Sequence, residues 1–127
     1  MSFSSRHIPA LVVCFGVGAG GTMPMFDAAF ALSTFGFPKR VASSQPAQAV
    51  SIINGGRNVA LGIALGTLYL RGMLDAVDVV LGCWGLTGLV DGWVLWQEGV
   101  RGKAVFRSVF GTMVGAYGWL GLTAGRG

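Results

Sequence analysis

Residues 74–96 read LDAVDVVLGCWGLTGLVDGWVLW, and this stretch decides the fold class. It is mostly apolar, and roughly 20 helical residues cross a hydrocarbon core of about 30 Å, so the stretch predicts a membrane-spanning helix. Asp75 and Asp78 lie in its first turns, where carboxylates complement the helix dipole, and we interpret both as structural. Asp91 lies near the other end, where the dipole offers no such explanation.

Three further apolar runs accompany this helix, at about residues 8–24, 48–70 and 104–123. Residues 25–47 are predicted to be an interfacial connection, since Phe26, Phe30 and Phe37 alternate there with polar residues. The first run also resembles the start of a secretory signal, but three more apolar runs follow it in place of a polar domain. We therefore expect an all-α, integral membrane four-helix up-down bundle forming one domain, residues 1–127, with both termini on one side.

The composition excludes several classes of protein. Hydrophobic residues make up 53% of the chain and charged residues 11%, whereas soluble proteins average about 25% charged residues. The net charge is +4, but the nine Lys and Arg residues are scattered between apolar runs, which argues against nucleic-acid binding. Cys14 and Cys83 lie inside apolar runs, and their spacing indicates neither a zinc site nor a disulfide framework.

The basic residues favour one orientation in the membrane. The side with the first and third connections carries Lys39, Arg40, Arg101, Lys103 and Arg107, and the side with the termini carries Arg6, Arg71 and Arg126. Because cytoplasmic loops are enriched in Lys and Arg, we expect the connections to face the cytoplasm. The predicted location is the endoplasmic reticulum or another endomembrane, as a multi-pass protein.

Glycines recur at helical spacing in three of the predicted helices. The sets are Gly62/Gly66, Gly85/Gly88/Gly92 and Gly111/Gly115/Gly118. Small residues on one stripe let helix backbones approach closely inside a membrane, where no hydrophobic effect drives helices together. We therefore interpret the stripes as packing surfaces.

Two charged residues lie inside predicted spanning helices. Arg57 is 14 residues before Arg71, and Asp91 is 16 residues after Asp75, which places them roughly 21 and 24 Å from the turn that joins the two helices. An isolated Arg or Asp at a helix centre costs about 2.5 to 3.5 kcal/mol, and a pair costs less. We predict that Arg57 and Asp91 form a pair, either a structural pair that fixes helix register or part of a functional site.

Polar and small residues accompany both charges. Residues three or four apart share a helix face, which groups Asn54 and Asn58 with Arg57, and Trp84 and Gly88 with Asp91. We expect these faces to line a pocket that opens toward the first connection.

Asp27 follows the first helix on the same side of the membrane. It is interpreted either as part of the pocket mouth or as an exposed interfacial carboxylate. His7 is the single histidine and lies at the opposite end, which argues against a Ser/His/Asp triad and against a multi-histidine metal site. The chain also lacks the GxSxG, HExxH and P-loop motifs.

The chain resembles a known protein family in three sequence features. They are NGGRNVALG at residues 54–62, FGFP at residues 35–38 and an acid late in the third helix. The family is DUF4267, small four-helix membrane proteins, and the resemblance covers nearly the whole chain. Relatives often have a histidine at the start of the last helix, where this chain has Lys103 and Arg107.

The chain is also similar in kind to the membrane epoxide hydrolases of fungal aurovertin- and citreoviridin-type polyketide pathways. This resemblance implies a tailoring enzyme that opens an epoxide on a lipophilic polyketide, by hydrolysis or cyclisation, without cofactor or metal. The implied roles are Asp91 as base, Arg57 as donor to the developing alkoxide, Asn54 and Asn58 as water-positioning residues, Asp27 as a possible acid and Trp84 as a substrate contact.

The alternative is a non-catalytic membrane protein. It would be an assembly partner of pathway enzymes, a carrier of lipophilic product or a homo-oligomer built on the glycine stripes. A cofactor-free oxygenase is less favoured. The expected partners are a lipophilic small molecule and membrane lipid, with no nucleic acid.

Overall fold

The computed structural model describes residues 3–125, and these residues are all-helical, as predicted from the sequence. A short 3-10 turn, Ser5–His7, precedes six α-helices. They are α1 (Ile8–Phe26), α2 (Ala28–Phe35), α3 (Lys39–Ala42), α4 (Gln45–Leu70), α5 (Leu74–Gln97) and α6 (Arg101–Trp119). Arg126, one of the basic residues used to predict the orientation, lies outside the described residues.

The predicted connection at residues 25–47 contains two short helices, α2 and α3, and polar side chains cap the starts of α2 and of the long helix α4. Asp27 caps α2 by accepting a hydrogen bond from the Phe30 N–H at 3.0 Å. Ser44 caps α4, whose first residue is Gln45, three residues before the predicted start. Helix α2 ends at Gly36, whose φ of +126° lies in a region that favours glycine.

The last helix ends earlier than predicted, at Trp119 rather than at residue 123. Gly121 has a φ of +70°, which interrupts the helical path. The N–H groups of Thr123 and Ala124 then donate to the carboxylate of Asp78 on α5, at 3.0 and 2.9 Å. The final turns of the chain are therefore held against the start of α5.

Glycines hold the long helices together in two antiparallel pairs, α1 with α4 and α5 with α6. A methyl group added at Gly62 would lie 2.7 Å from the Cα of Gly18, so the backbones of α1 and α4 are in direct contact there. A methyl group at Gly88 would likewise lie 2.7 Å from the Cα of Gly111. This is the close backbone approach that small residues allow.

All four long helices contribute side chains to one buried apolar cluster near the termini. Its buried members are Ala10, Val13, Leu65, Val77, Leu81 and Val114. Two helical segments, Ser5–Phe26 and Leu74–Gln97, are long and apolar enough to cross a membrane. Helices α4 and α6 are more polar, since Asn54, Arg57 and Asn58 lie in α4, and Lys103 and Arg107 lie in α6.

Candidate functional site

Asp91 lies in α5 at the level of Arg107 in the facing helix α6, because Gly88 and Gly92 on either side of it pack against Arg107 and Ser108. Both Asp91 and Arg107 are half-buried. Gly88, one turn before Asp91, packs so closely on α6 that an added methyl group would lie 2.7 Å from the Arg107 carbonyl oxygen. The glycine therefore brings the backbone that carries Arg107 next to the helical turn that carries Asp91.

Arg107 also binds the turn between α2 and α3. Its guanidinium donates to the carbonyl oxygen of Phe35 at 3.3 Å and lies 3.9 Å from the centre of the Phe35 ring. Phe35 stacks on Phe37 with ring centres 5.1 Å apart. Gly36 faces α6 closely, since an added methyl group there would lie 3.0 Å from Cγ of Lys103. The FGFP motif is thus fixed against the first half of the last helix.

The predicted pair of Arg57 with Asp91 is not formed. Within residues 3–125 the ion pair closer than 4.0 Å is Arg40 with Glu98, and Arg57 is exposed on α4. The reason is rotational: Gly55 and Gly62 face α1, and successive helical residues turn by about 100°, so Arg57 projects roughly 200° away from Gly55. The basic residue at the level of Asp91 is Arg107 of α6, which the sequence indicated only as part of the basic side and as a residue near the start of the last helix where relatives often have a histidine.

The other predicted site residues are not gathered around Asp91 by any described contact. Asn54 is exposed, and Asn58 is half-buried against α1, where an added methyl group at Gly21 would lie 3.0 Å from the Asn58 Cβ. Trp84 packs edge-on against Phe110 with ring centres 6.1 Å apart. Their predicted roles with substrate stay predictions.

Asp27 is exposed, and its side chain caps α2. Asp27 is therefore an exposed carboxylate, while its place at a membrane interface and its role as an acid stay predictions. Within the described part of the chain, no three His, Cys, Asp or Glu side chains are grouped so that they could hold a metal ion.

A second polar cluster, which the sequence analysis missed, lies at the end with the termini. Nδ1 of His7 and the hydroxyl oxygen of Tyr69 are 2.8 Å apart, and His7 is only 2% exposed. Tyr117 donates a hydrogen bond to the carbonyl oxygen of Arg6. Asp78, 3% exposed, receives the two N–H groups of the C-terminal turn. These contacts join residues 45 to 111 positions apart, and no local sequence pattern signals such pairings.

The comparison with protein families confirms the resemblance noted from the sequence. The family model DUF4267, described as a domain of unknown function, matches residues 14–121, and the chain therefore belongs to this family. The matched region includes the FGFP motif, Asp91 and Arg107. Searches of curated proteins and of solved structures found no match.

Proposed function

We propose that the chain is a multi-pass membrane protein whose long helices α1, α4, α5 and α6 form an up-down four-helix bundle. The main support is the distribution of apolar side chains in the fold. Phe15, Phe26 and Leu70 are 70%, 87% and 80% exposed, while glycines occupy the helix contacts. Large apolar surfaces are rare on soluble monomers, and a lipid environment accommodates them.

Alkaline carbonate treatment of membranes tests this part of the proposal. The protein is expected to stay with the membrane pellet and to leave it only with detergent. Release into the carbonate supernatant would contradict the proposal. Separation of the cell membranes by density tests the proposed location, because the protein is expected in the fractions of the endoplasmic reticulum or another endomembrane.

We further propose that the protein opens an epoxide on a lipophilic substrate, with Asp91 as the base. The observation that carries this proposal is the half-buried carboxylate of Asp91, one helical turn from Gly88, which packs directly against the Arg107 backbone of α6. A carboxylate and a cation in a low-dielectric site suit a reaction that needs one base and one stabiliser of negative charge.

In this mechanism Asp91 takes a proton from a water molecule while the water oxygen attacks an epoxide carbon. The epoxide C–O bond breaks, and its electron pair stays on the oxygen as an alkoxide that Arg107 stabilises. The alkoxide then takes the proton back from Asp91, so that the net change is addition of one water. In a cyclisation, a hydroxyl of the substrate replaces the water.

Mass spectrometry of a polyene epoxide incubated with the purified protein tests the chemistry. A mass gain of one water, or an isomeric cyclic ether, is expected with the wild type and not with Asp91→Asn. Asp75→Asn is the matched control, because Asp75 is exposed at the opposite end of the same helix and has no proposed role in the reaction. Comparison of Arg107→Gln with Arg57→Gln then assigns the stabilising role, and full turnover by Asp91→Asn would refute the mechanism.

A non-catalytic carrier of lipophilic molecules is the second candidate. It is favoured by the apolar groove between α5 and α6, which neither Asp91 nor Arg107 lines. In the same experiment a carrier would bind the epoxide and return it unchanged.

A further inference from the structure

An apolar groove lies between α5 and α6, and a cation lies at the end of the groove near the start of α6. Its volume is about 380 Å³. Gly92 and Ala104 are buried beneath it, while Trp96 and Val105 are exposed at its sides. Farther along α6 it continues into a second hollow of about 250 Å³ that shares Ser108 and Val109 with it.

The cation is Arg101, the first residue of α6. Its guanidinium lies 4.7 Å from the centre of the Trp96 ring, and Trp96 lines the groove. Arg101 is also three and four residues before Ala104 and Val105, so it shares their face of the helix. The contact with Trp96 therefore holds the positive charge at the end of the groove.

The surroundings of Arg101 are predominantly basic. Lys39, Arg40 and Lys103 are exposed at the same end of the molecule, and the carboxylate of Glu98 is occupied by Arg40 at 3.0 Å. Within residues 3–125, Arg101 itself has no carboxylate within ion-pair distance. The charge at the groove end is thus complementary to an anionic group.

The length of the groove fits one lipid chain. Twelve residues separate Arg101 from Met113, the far end of the second hollow, which corresponds to roughly 18 Å along the helix. Half of a bilayer of about 40 Å, headgroup regions included, is about 20 Å, the depth of one leaflet measured from the headgroups. A chain anchored at Arg101 would therefore remain within its own leaflet.

We propose that this groove binds an anionic phospholipid, with its phosphate at Arg101 and one acyl chain along Gly92, Val105 and Val109. The proposal rests on the membrane part of the proposed function and is independent of the epoxide chemistry, since Asp91 and Arg107 do not line the groove.

Native mass spectrometry of the full chain in detergent tests the proposal. The protein is titrated with phosphatidylglycerol and with phosphatidylcholine that carry the same acyl chains. One Lys or Arg near an anionic surface is worth about 1 kcal/mol, so the first phosphatidylglycerol is expected to bind about fivefold more tightly. Equal affinities for the two lipids would overturn the proposal.

Matched variants separate the two parts of the site. Arg101→Gln is expected to abolish the preference, while Arg71→Gln, which removes an exposed charge at the opposite end, keeps it. Val105→Trp fills the groove and weakens binding of both lipids, while Phe106→Trp changes an exposed neighbour outside the groove and does not. An equal loss of the preference with Arg71→Gln would contradict the proposal, and so would a Val105→Trp variant that binds both lipids as tightly as the wild type.

The membrane proposal and the lipid proposal fail in different ways. Release of the protein by carbonate removes the membrane proposal and the lipid site with it. A protein that stays in the membrane but binds both lipids equally removes the lipid site alone.

Discussion

The guanidinium of Arg107 donates to the carbonyl oxygen of Phe35 at 3.3 Å and covers the Phe35 ring at 3.9 Å. One side chain of the last helix thereby connects the FGFP turn with the helix pair that carries Asp91. Arg107 is thus held by the FGFP turn at the level of Asp91 in the facing helix.

A double-mutant cycle between Asp91 and Arg107 should show coupling. Because the two opposite charges lie at the same level of the closely packed α5–α6 contact, we expect an interaction energy above about 0.5 kcal/mol, the limit of additivity for independent sites, when each is changed to Leu. Thermal unfolding in detergent measures it.

The matched cycle pairs Asp91 with Arg57, which is exposed on α4. These changes should be additive within about 0.5 kcal/mol. Coupling in the Arg57 cycle together with additivity in the Arg107 cycle would favour the Arg57–Asp91 pair predicted from the sequence. It would contradict the placement of Arg107 beside Asp91.

Substitution of Gly55 by a larger residue should destabilise the protein, whereas the same substitution at the neighbouring Gly56 should be tolerated. An alanine methyl group at Gly55 would meet the backbone carbonyl of Gly21, and one at Gly56 would come no closer than 3.9 Å to Met25 Cε. Gly55→Ala should therefore lower the free energy of unfolding by about 1 to 3 kcal/mol, while Gly56→Ala leaves it unchanged or raises it. Thermal unfolding of the two variants in one detergent decides the point, and equal melting temperatures would argue against the α1–α4 contact.

Asp78 should stabilise the C-terminal turn. Asn in its place presents an amide NH₂ to one of two backbone N–H groups that now share a carboxylate, so a buried donor loses its acceptor. We expect Asp78→Asn to cost about 1 to 3 kcal/mol. Asp75→Asn, an identical change at an exposed position of the same helix, should cost clearly less, and similar losses from both would mean that the turn contributes little.

The sequence predicted the features that depend on residue type and on position along one helix. The all-α class and the family follow from such features, and the glycines at 62, 85, 88 and 111 do lie at helix contacts.

Rotation about the helix axis and long-range contacts could not be predicted in the same way. Which face of α4 meets α1 is decided at Gly55 and Gly62, and only that choice turns Arg57 outward. The contact of His7 with Tyr69 spans 62 positions and depends on how the chain ends meet. The sequence shows that Arg107 is a basic residue near the start of the last helix. It does not show that α6 packs with Arg107 at the level of Asp91.

We propose that the exposed apolar surface of these helices faces lipid, and the reactivity of Cys83 toward a water-soluble reagent tests this proposal. Cys83 is exposed in the middle of α5 and lies within a segment long and apolar enough to cross a membrane. In a Cys14→Ala background, Cys83 should not react with a hydrophilic maleimide when the membranes have been ruptured, so that the reagent reaches both faces, but have not been dissolved. The same reagent should label Cys83 after the protein is denatured in detergent. Arg71→Cys, at the exposed turn between α4 and α5, placed in a background that also has Cys83→Ala, should be labelled in both conditions. Rapid labelling of Cys83 in the native membrane, at the rate of the Arg71→Cys control, would show that water covers this surface and would contradict the account.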